Sequence, residues 1–447
     1  MESHLFYLSS NPRPELERAE GIHMWAKTGK RYLDGSSGAM VSNIGHSNPA
    51  VLAAMRAQME KSTFGYRLHF MTEPSERLAA KTAALCPGDL NKVFFVSGGS
   101  EAVESTLKLA RQYAVAKGEA QRFKVISRTP SYHGSTLGAL AVTGYAPLAA
   151  PFAPMMHEMP KIPAPRAYLD GLDLEDPATG EHYAAMLEAK IVEEGAQTVL
   201  AFIQEPVGGA STGALVPPKG YMEAVREICD KYGVLLIHDE VMSGGGRTGK
   251  FWGADHWGAV PDIISISKGF GGGYVPLGAM IARDDMVQTV MDAGGFMHGH
   301  TYAGNPLACS AGLAVLDEIE RLGLVENAAL MGDKLQARLR GLMNRFSFIG
   351  DVRGKGLLTA FELVSDRGTM EPLPRELNAF DRLVEHAYAQ GLIIYSRRTR
   401  GGTSGDHFLV CPPMIIGDEG LDELMEMLEA ALVSFAAEAG LDAGQGG

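Results

Sequence analysis

Between Glu73 and Glu320 the chain alternates short apolar runs with longer stretches whose apolar positions recur at helical spacing. The runs at 93–97, 124–127, 198–204, 234–239, 262–267 and 278–282 are the strand candidates. Strands that alternate with helical patterns predict an α/β fold, a mostly parallel sheet with helices on both faces. The flanking regions read differently. The first sixty or so residues hold strand-like pieces, Gly21–Trp25 and Arg31–Gly35, broken by turns. Residues 151–180, rich in Pro, Ala and Asp, read as a long surface excursion rather than an element. After Glu320 come a helix at 327–345, a strand-like Gly356–Leu363, a helix at 376–390, the run Leu392–Tyr395 and a final helix at 418–438, which together predict a second, smaller α+β lobe. The division that follows is 1–65 as a segment joining the small domain, 66–320 as the large domain and 321–447 as the small one. Gly440 to Gly447 should fray.

The apolar runs also say where chemistry can gather. In parallel sheets ligands collect at the carboxyl ends of strands. Val234-Leu-Leu-Ile-His-Asp239 ends in a carboxylate, and Asp262-Ile-Ile-Ser-Ile-Ser-Lys268 ends in an amine that runs straight into glycines. The two lie 29 residues apart, about one strand-to-strand repeat, so both can meet over one small molecule. Val93-Phe-Phe-Val-Ser97-Gly98-Gly99-Ser100 leads through a glycine turn into an amphipathic helix, which is an anion cradle: backbone N–H groups, the Ser100 hydroxyl and the helix dipole favour a phosphate. Ser131-Tyr132-His133-Gly134 follows another strand and offers a flat ring for stacking. An amine, an acid, a phosphate cradle and a ring describe a pyridoxal-phosphate site, the lysine forming the Schiff base and the acid keeping the pyridine nitrogen protonated. Taken singly, Lys268 or Asp239 would read as a solvated loop residue; their combination decides.

Composition fits an enzyme of that size. The chain has 447 residues, 46% of them hydrophobic, and a mean hydropathy of −0.02, enough to bury a large core in two or three lobes. Its net charge is −13 without a basic block, which argues against nucleic acid and anionic membrane as partners. Cys86, Cys229, Cys309 and Cys411 lack paired or metal-type spacing, and no apolar run reaches membrane-spanning length. The N-terminus lacks a basic region followed by an apolar stretch, so a cytoplasmic protein is expected.

Three decoys are set aside. Gly244-Gly-Gly-Arg-Thr-Gly-Lys250 resembles the start of a P-loop, but Phe251 stands where a hydroxyl should hold magnesium. His298-Gly-His300 has no further ligand at a suitable spacing, so no metal is expected. Asp239 and Glu240 are strand neighbours that point to opposite sides and cannot easily share an ion.

Through these residues the chain resembles the class III, fold-type I, PLP-dependent aminotransferases, the group of ω-amino-acid and amine:pyruvate transaminases. The resemblance covers nearly the whole chain: Ser97–Ala102, Tyr132–Gly134, Gln204–Val207, Asp239–Val241, Gly246–Gly249, Ser267–Gly269 and His300–Leu307, in that order. It implies a seven-stranded-type sheet, pyridoxal 5′-phosphate as cofactor, and transfer of an amino group from an ω-amino acid or amine to an α-keto acid. By the same resemblance Lys268 and Asp239 are catalytic, while Gly99, Ser100, Tyr132, His133, Glu205 and Val241 contact the cofactor. Thr301 would complete the phosphate site from a neighbouring subunit of a homodimer or dimer of dimers.

Departures from the family pattern bear on substrate. Tyr395 occupies the position where many relatives carry a mobile carboxylate-binding arginine; Arg397, Arg398 and Arg400 lie just beyond in a glycine-rich segment read as a mobile loop. Arg400, or failing it Arg398, is the expected substitute, with Glu205 as its resting partner. Met40 stands where many amine:pyruvate relatives have Trp, and Met242 where 2-oxoglutarate users often have Gln, which favours pyruvate. Phe64, Tyr66, Trp252 and the 395–406 segment are expected to shape the pocket. The alternatives are a 2-oxoglutarate-dependent aminotransferase, a PLP decarboxylase or aminomutase on the same fold, and a non-catalytic PLP-fold binding or regulatory protein, against which the intact Lys268 and Asp239 argue.

Overall fold

A computed structural model describes residues 4–7 and 13–444. The expected fraying therefore falls partly outside the described residues, at 445–447, as do the first three residues of the N-terminus. The central sheet has seven strands in the order Leu90–Val96, Gly278–Arg283, Ile263–Ile266, Leu235–Asp239, Val199–Gln204, Lys124–Thr129, Lys161–Pro163. Only Gly278–Arg283 runs antiparallel to its neighbours. Every residue of Val199–Gln204 and of Ile263–Ile266 is buried. A strand covered on both faces has no polar side to show, which is why these segments read as nearly continuous apolar runs, with Ser265 inside one and Gln204 at the end of the other. One face packs under Gly99–Ala116 and the other under Pro177–Glu194 and Tyr221–Tyr232, so two separate apolar layers enclose the sheet.

The stretch 151–180 is more structured than its composition suggests. It contains the edge strand Lys161–Pro163, parallel to Ser127–Thr129, and the start of the helix Pro177–Glu194, capped by the Asp176 side chain. A three-residue strand with a proline at its end leaves almost no periodic signal, and edge positions tolerate proline.

The remaining strands form two smaller sheets. Leu16–Glu20, His23–Ala26 and Arg31–Asp34 are joined by Leu392–Ile393, which pairs parallel with Leu33 and Asp34. Ile349–Lys355, Leu358–Asp366, Ser404–Val410 and Tyr395–Arg400 follow one another in the other, with Glu371–Pro372 on its side. The 395–406 segment is thus a β-hairpin, not a loop: Tyr395 pairs with Leu409 and Arg398 with Asp406, and Gly401 and Gly402 take the positive φ of the turn. A Cβ on Gly402 would lie 2.4 Å from Pro147 Cγ, so the hairpin tip rests on the helix Ala146–Ala149. The later helices begin at Leu324, Ala379 and Asp418, within three residues of the sequence reading. Among the described residues no helix is long and apolar enough to cross a membrane.

Candidate active site

Five carboxyl-end segments of the central sheet converge. Lys268 follows Ile263–Ile266 with φ +46°, a left-handed conformation uncommon for a residue with a side chain, and its carbonyl accepts from Gly271 and Gly272 at 3.0 Å. Its amine has no hydrogen-bond partner among the described residues, and burial pulls its pKa down to about 8 against the opposing pull of Asp239 and Glu205. Asp239 ends the adjacent strand, 3% exposed. One of its oxygens meets His133 Nδ1 at 2.8 Å and the other accepts the Val241 N–H at 3.1 Å. His133 therefore acts on the site through Asp239, and its Nε2 is buried without a partner. Glu240 turns the opposite way, accepting from Gly253 and Ala254 N–H at 2.9 Å and from Ser243, and burial raises its pKa to about 7. The two neighbouring acids diverge, as strand alternation requires.

A pocket of about 130 Å³ is lined by Gly99, Ser100, Tyr132, His133, Gly134, Glu205, Asp239, Val241, Met242 and Lys268. Eight of the nine residues expected to contact the cofactor are thus brought together; Thr301 is not among them and is exposed at the surface. The helix Gly99–Ala116 begins without a side-chain cap, leaving its first N–H groups to point at this pocket's Gly99–Ser100 end. The Ser100 hydroxyl accepts from Ser135 N–H at 3.0 Å. Gly134 is required here: its φ is +140°, and a Cβ would come within 2.7 Å of Ser100 Oγ. A donor-rich helix start, a buried acid, an unbonded amine and a ring beside them suit a phosphate, a pyridinium nitrogen, an aldehyde and an aromatic plane, so the residues fit pyridoxal 5′-phosphate.

Glu205 has a partner that the sequence reading missed. Its Oε1 accepts from Gly209 N–H at 3.0 Å, while Oε2, buried and without a hydrogen bond, lies 3.9 Å from Arg128. Arg128, 2% exposed, donates to the Glu205 carbonyl at 2.6 Å. Burial raises the Glu205 pKa. The expected pairing of Glu205 with Arg400 is therefore replaced: Arg400 meets Glu362 at 3.7 Å and the Met370 carbonyl, because it sits on a paired strand that cannot swing. Arg398 is likewise held, by Asp406 at 2.8 Å. The one signal for Arg128 is a charged residue within the strand candidate that begins at Phe123-Lys-Val-Ile-Ser. Glu104 was also missed; it accepts from Thr136, Gly138 and Ala139 and so fixes the segment that follows Tyr132.

The residues expected to shape the pocket divide. Met40, buried and at φ +58°, packs with Met242, Val207 and Leu409, and Tyr395 borders the same cluster. Trp252 does not belong there: it is fully buried in the main core and its Nε1 donates to the Leu85 carbonyl at 2.7 Å, a packing role fixed by its size. Phe64 is exposed and packs edge-on against Tyr302, and Tyr66 against His69.

Comparison with known proteins agrees with this geometry. The profile of the family described as aminotransferase class-III matches residues 9–432. A putrescine–pyruvate aminotransferase of Pseudomonas aeruginosa is 34% identical, over 94% of this chain and 91% of its own length. The solved structure of an (S)-enantioselective ω-transaminase from Thermomicrobium roseum superposes with a TM-score of 0.90 at 38% identity, covering 97% of this chain and 96% of that one. An ω-transaminase from Pseudomonas jessenii solved in complex with PMP superposes at 0.89 with 32% identity, covering 96% and 94%.

Proposed function

Because the chain belongs to the class-III aminotransferases, α/β enzymes that use pyridoxal 5′-phosphate, we propose that it moves an amino group from an ω-amino acid or amine to an α-keto acid, with pyruvate as acceptor. The observation that carries this reading is Lys268, a half-buried amine without a hydrogen bond, in one pocket with Asp239 and Glu205. The cofactor, when bound, supplies an aldehyde for the substrate amine and a ring that withdraws electrons from the carbon being deprotonated. Lys268 Nζ carries that proton from one carbon to the other, for which a pKa near neutrality suits a group that must both give and take. Asp239, anchored by His133, presents a carboxylate that favours a protonated ring nitrogen. Ser100 and the first turn of Gly99–Ala116 would hold the phosphate, and Tyr132 and Val241 would bound the ring. The wall of Met40, Val207 and Met242 excludes water and offers no polar group to a large substrate.

Pyruvate is favoured over 2-oxoglutarate by the putrescine–pyruvate relative and by that apolar wall around Met242. A second copy of the chain supplies Thr301; the adjacent Tyr302, with Phe64 against its ring, is exposed, as are Leu68, Phe70, Met71 and Met297. The test is single turnover of the PLP enzyme against terminal diamines, ω-amino acids and simple amines, read by loss of the cofactor absorption, followed by pyruvate or 2-oxoglutarate. Rapid conversion by terminal amines and recovery by pyruvate supports the reading. Turnover confined to α-amino acids, or release of carbon dioxide, overturns it.

A further inference from the structure

We infer that Arg397, seated on the ring of Tyr395, is the guanidinium that receives the keto acid's carboxylate and that it confines the acceptor to one carboxylate; this rests on the transaminase reading above. The other arginines around this hairpin are already engaged. Arg128 is bonded to Glu205, Arg353 to Glu362 at 2.9 Å and Asp351 at 2.7 Å, Arg398 to Asp406, and Arg400 faces Glu362. Arg397 has no acidic partner among the described residues; its hydrogen bond is to the carbonyl of its own neighbour Ser396, at 3.2 Å. Its guanidinium lies 4.5 Å from the centroid of the Tyr395 ring.

Strand geometry explains the placement. Tyr395 and Arg397 are two residues apart on one strand, so both side chains leave the same face. Tyr395 packs into the cluster of Met40 and Met242, and Met242 lines the pocket of Lys268. The guanidinium therefore stands at the rim of the apolar wall, half-buried. Its charge reaches Lys268, where it works in the same direction as burial. The other titratable groups that feel it are Tyr145, Tyr395 and His407, the last kept neutral by burial. All are uncharged, and among the described residues no acidic side chain pairs with Arg397.

A partly desolvated cation without a counter-ion is costly until an anion arrives. Stacking on Tyr395 holds the planar fork in place and leaves its N–H edge free, the geometry that a carboxylate matches with two parallel hydrogen bonds. A single free guanidinium serves pyruvate fully; a dicarboxylate would need a second cation, and the neighbouring arginines are already engaged. The amine donor, lacking a carboxylate, makes no use of it.

The test compares the PLP enzyme with its Arg397→Ala and Arg397→Lys variants, the half-reactions being run separately: butylamine aminates the cofactor, and the aminated enzyme, freed of amine and aldehyde, is then mixed with either pyruvate or butanal as acceptor. Loss of a charge-assisted pair should lower kcat/KM for pyruvate about 10- to 100-fold in Arg397→Ala. The values for butanal and the butylamine half-reaction should stay within about 2-fold, and Arg397→Lys should recover part of the loss as a point charge. A parallel fall for pyruvate and butanal, or no fall for either, overturns the assignment. A wild-type enzyme that takes amino groups from amines yet ignores pyruvate overturns the acceptor reading and this inference together; normal wild-type turnover with an unselective variant overturns this inference alone.

Discussion

Replacing Lys268 by Met should stabilise the cofactor-free protein, and by an amount that depends on pH. Lys268 is half-buried at the pocket, and desolvation brings its pKa from 10.5 to about 8. The folded state thus holds fewer protons than the unfolded one between those values, so stability rises with pH across that window. Below pH 8 the full cost of burying the ammonium is present. The two pKa values give a penalty of about 3 kcal/mol at pH 7, shrinking to about 1 kcal/mol at pH 10. Met, similar in length and uncharged, carries no such term. Its own apolar burial stabilises the variant equally at both pH values. The measurement is urea unfolding of both cofactor-free proteins, followed by tryptophan fluorescence at one fixed protein concentration. The variant's advantage should fall by about 2–3 kcal/mol between pH 7 and pH 10. An advantage that stays constant, or grows with pH, would refute the claim that burial dominates the Lys268 environment. The same shift has a kinetic face. About a quarter of the amine is neutral at pH 7.5, against about one part in a thousand for an ordinary lysine. Capture of pyridoxal 5′-phosphate by the cofactor-free enzyme should therefore accelerate up to about pH 8 and then level.

Three further outcomes are expected. Borohydride reduction of the PLP enzyme followed by peptide mapping should find the pyridoxyl group on Lys268; a label on any other lysine refutes its role. Asp239→Asn should still bind the cofactor while the amine half-reaction slows by ~3–5 kcal/mol in barrier, two to four orders of magnitude, and near-normal turnover would sink the electron-withdrawing role given to that carboxylate. Sedimentation at assay concentration should find a dimer or higher assembly, with Thr301→Ala weakening cofactor retention; a fully active monomer would exclude a shared site.

The convergence of the candidate site was legible in the sequence for a physical reason. Strands buried on both faces read as solid apolar blocks, so the first polar residue after each block marks a carboxyl end, where ligands bind. Asp239, Lys268 and Ser97–Ser100 all sit at such junctions, and the structure brings them to one pocket. What stayed illegible depends on pairing between distant segments. Nothing local says that Arg128 will meet Glu205, 77 positions later, or that Leu392 will close the sheet begun by Leu16.

The hairpin at 395–410 shows the same limit from the other side. Three arginines amid glycines look solvated, and a mobile loop was the natural reading. Pairing to Ser404–Val410 removes that freedom and assigns each arginine a separate fate, since Asp406 lies directly opposite Arg398 and the buried Glu362 faces Arg400. A swinging arginine is therefore excluded for two of the three, and any carboxylate contact must be made by a side chain already in place. The acceptor end of the pocket is then preorganised: the cost of fixing Arg397 over Tyr395 is met by folding and not by each turnover. A relative with a mobile arginine clears its pocket for an amine by moving a charge; this chain must clear it by shape, through the apolar wall of Met40, Val207 and Met242 lying beside a fixed cation. Donors with a bulky apolar group and no carboxylate should accordingly be limited by packing against that wall, and acceptors by their single carboxylate.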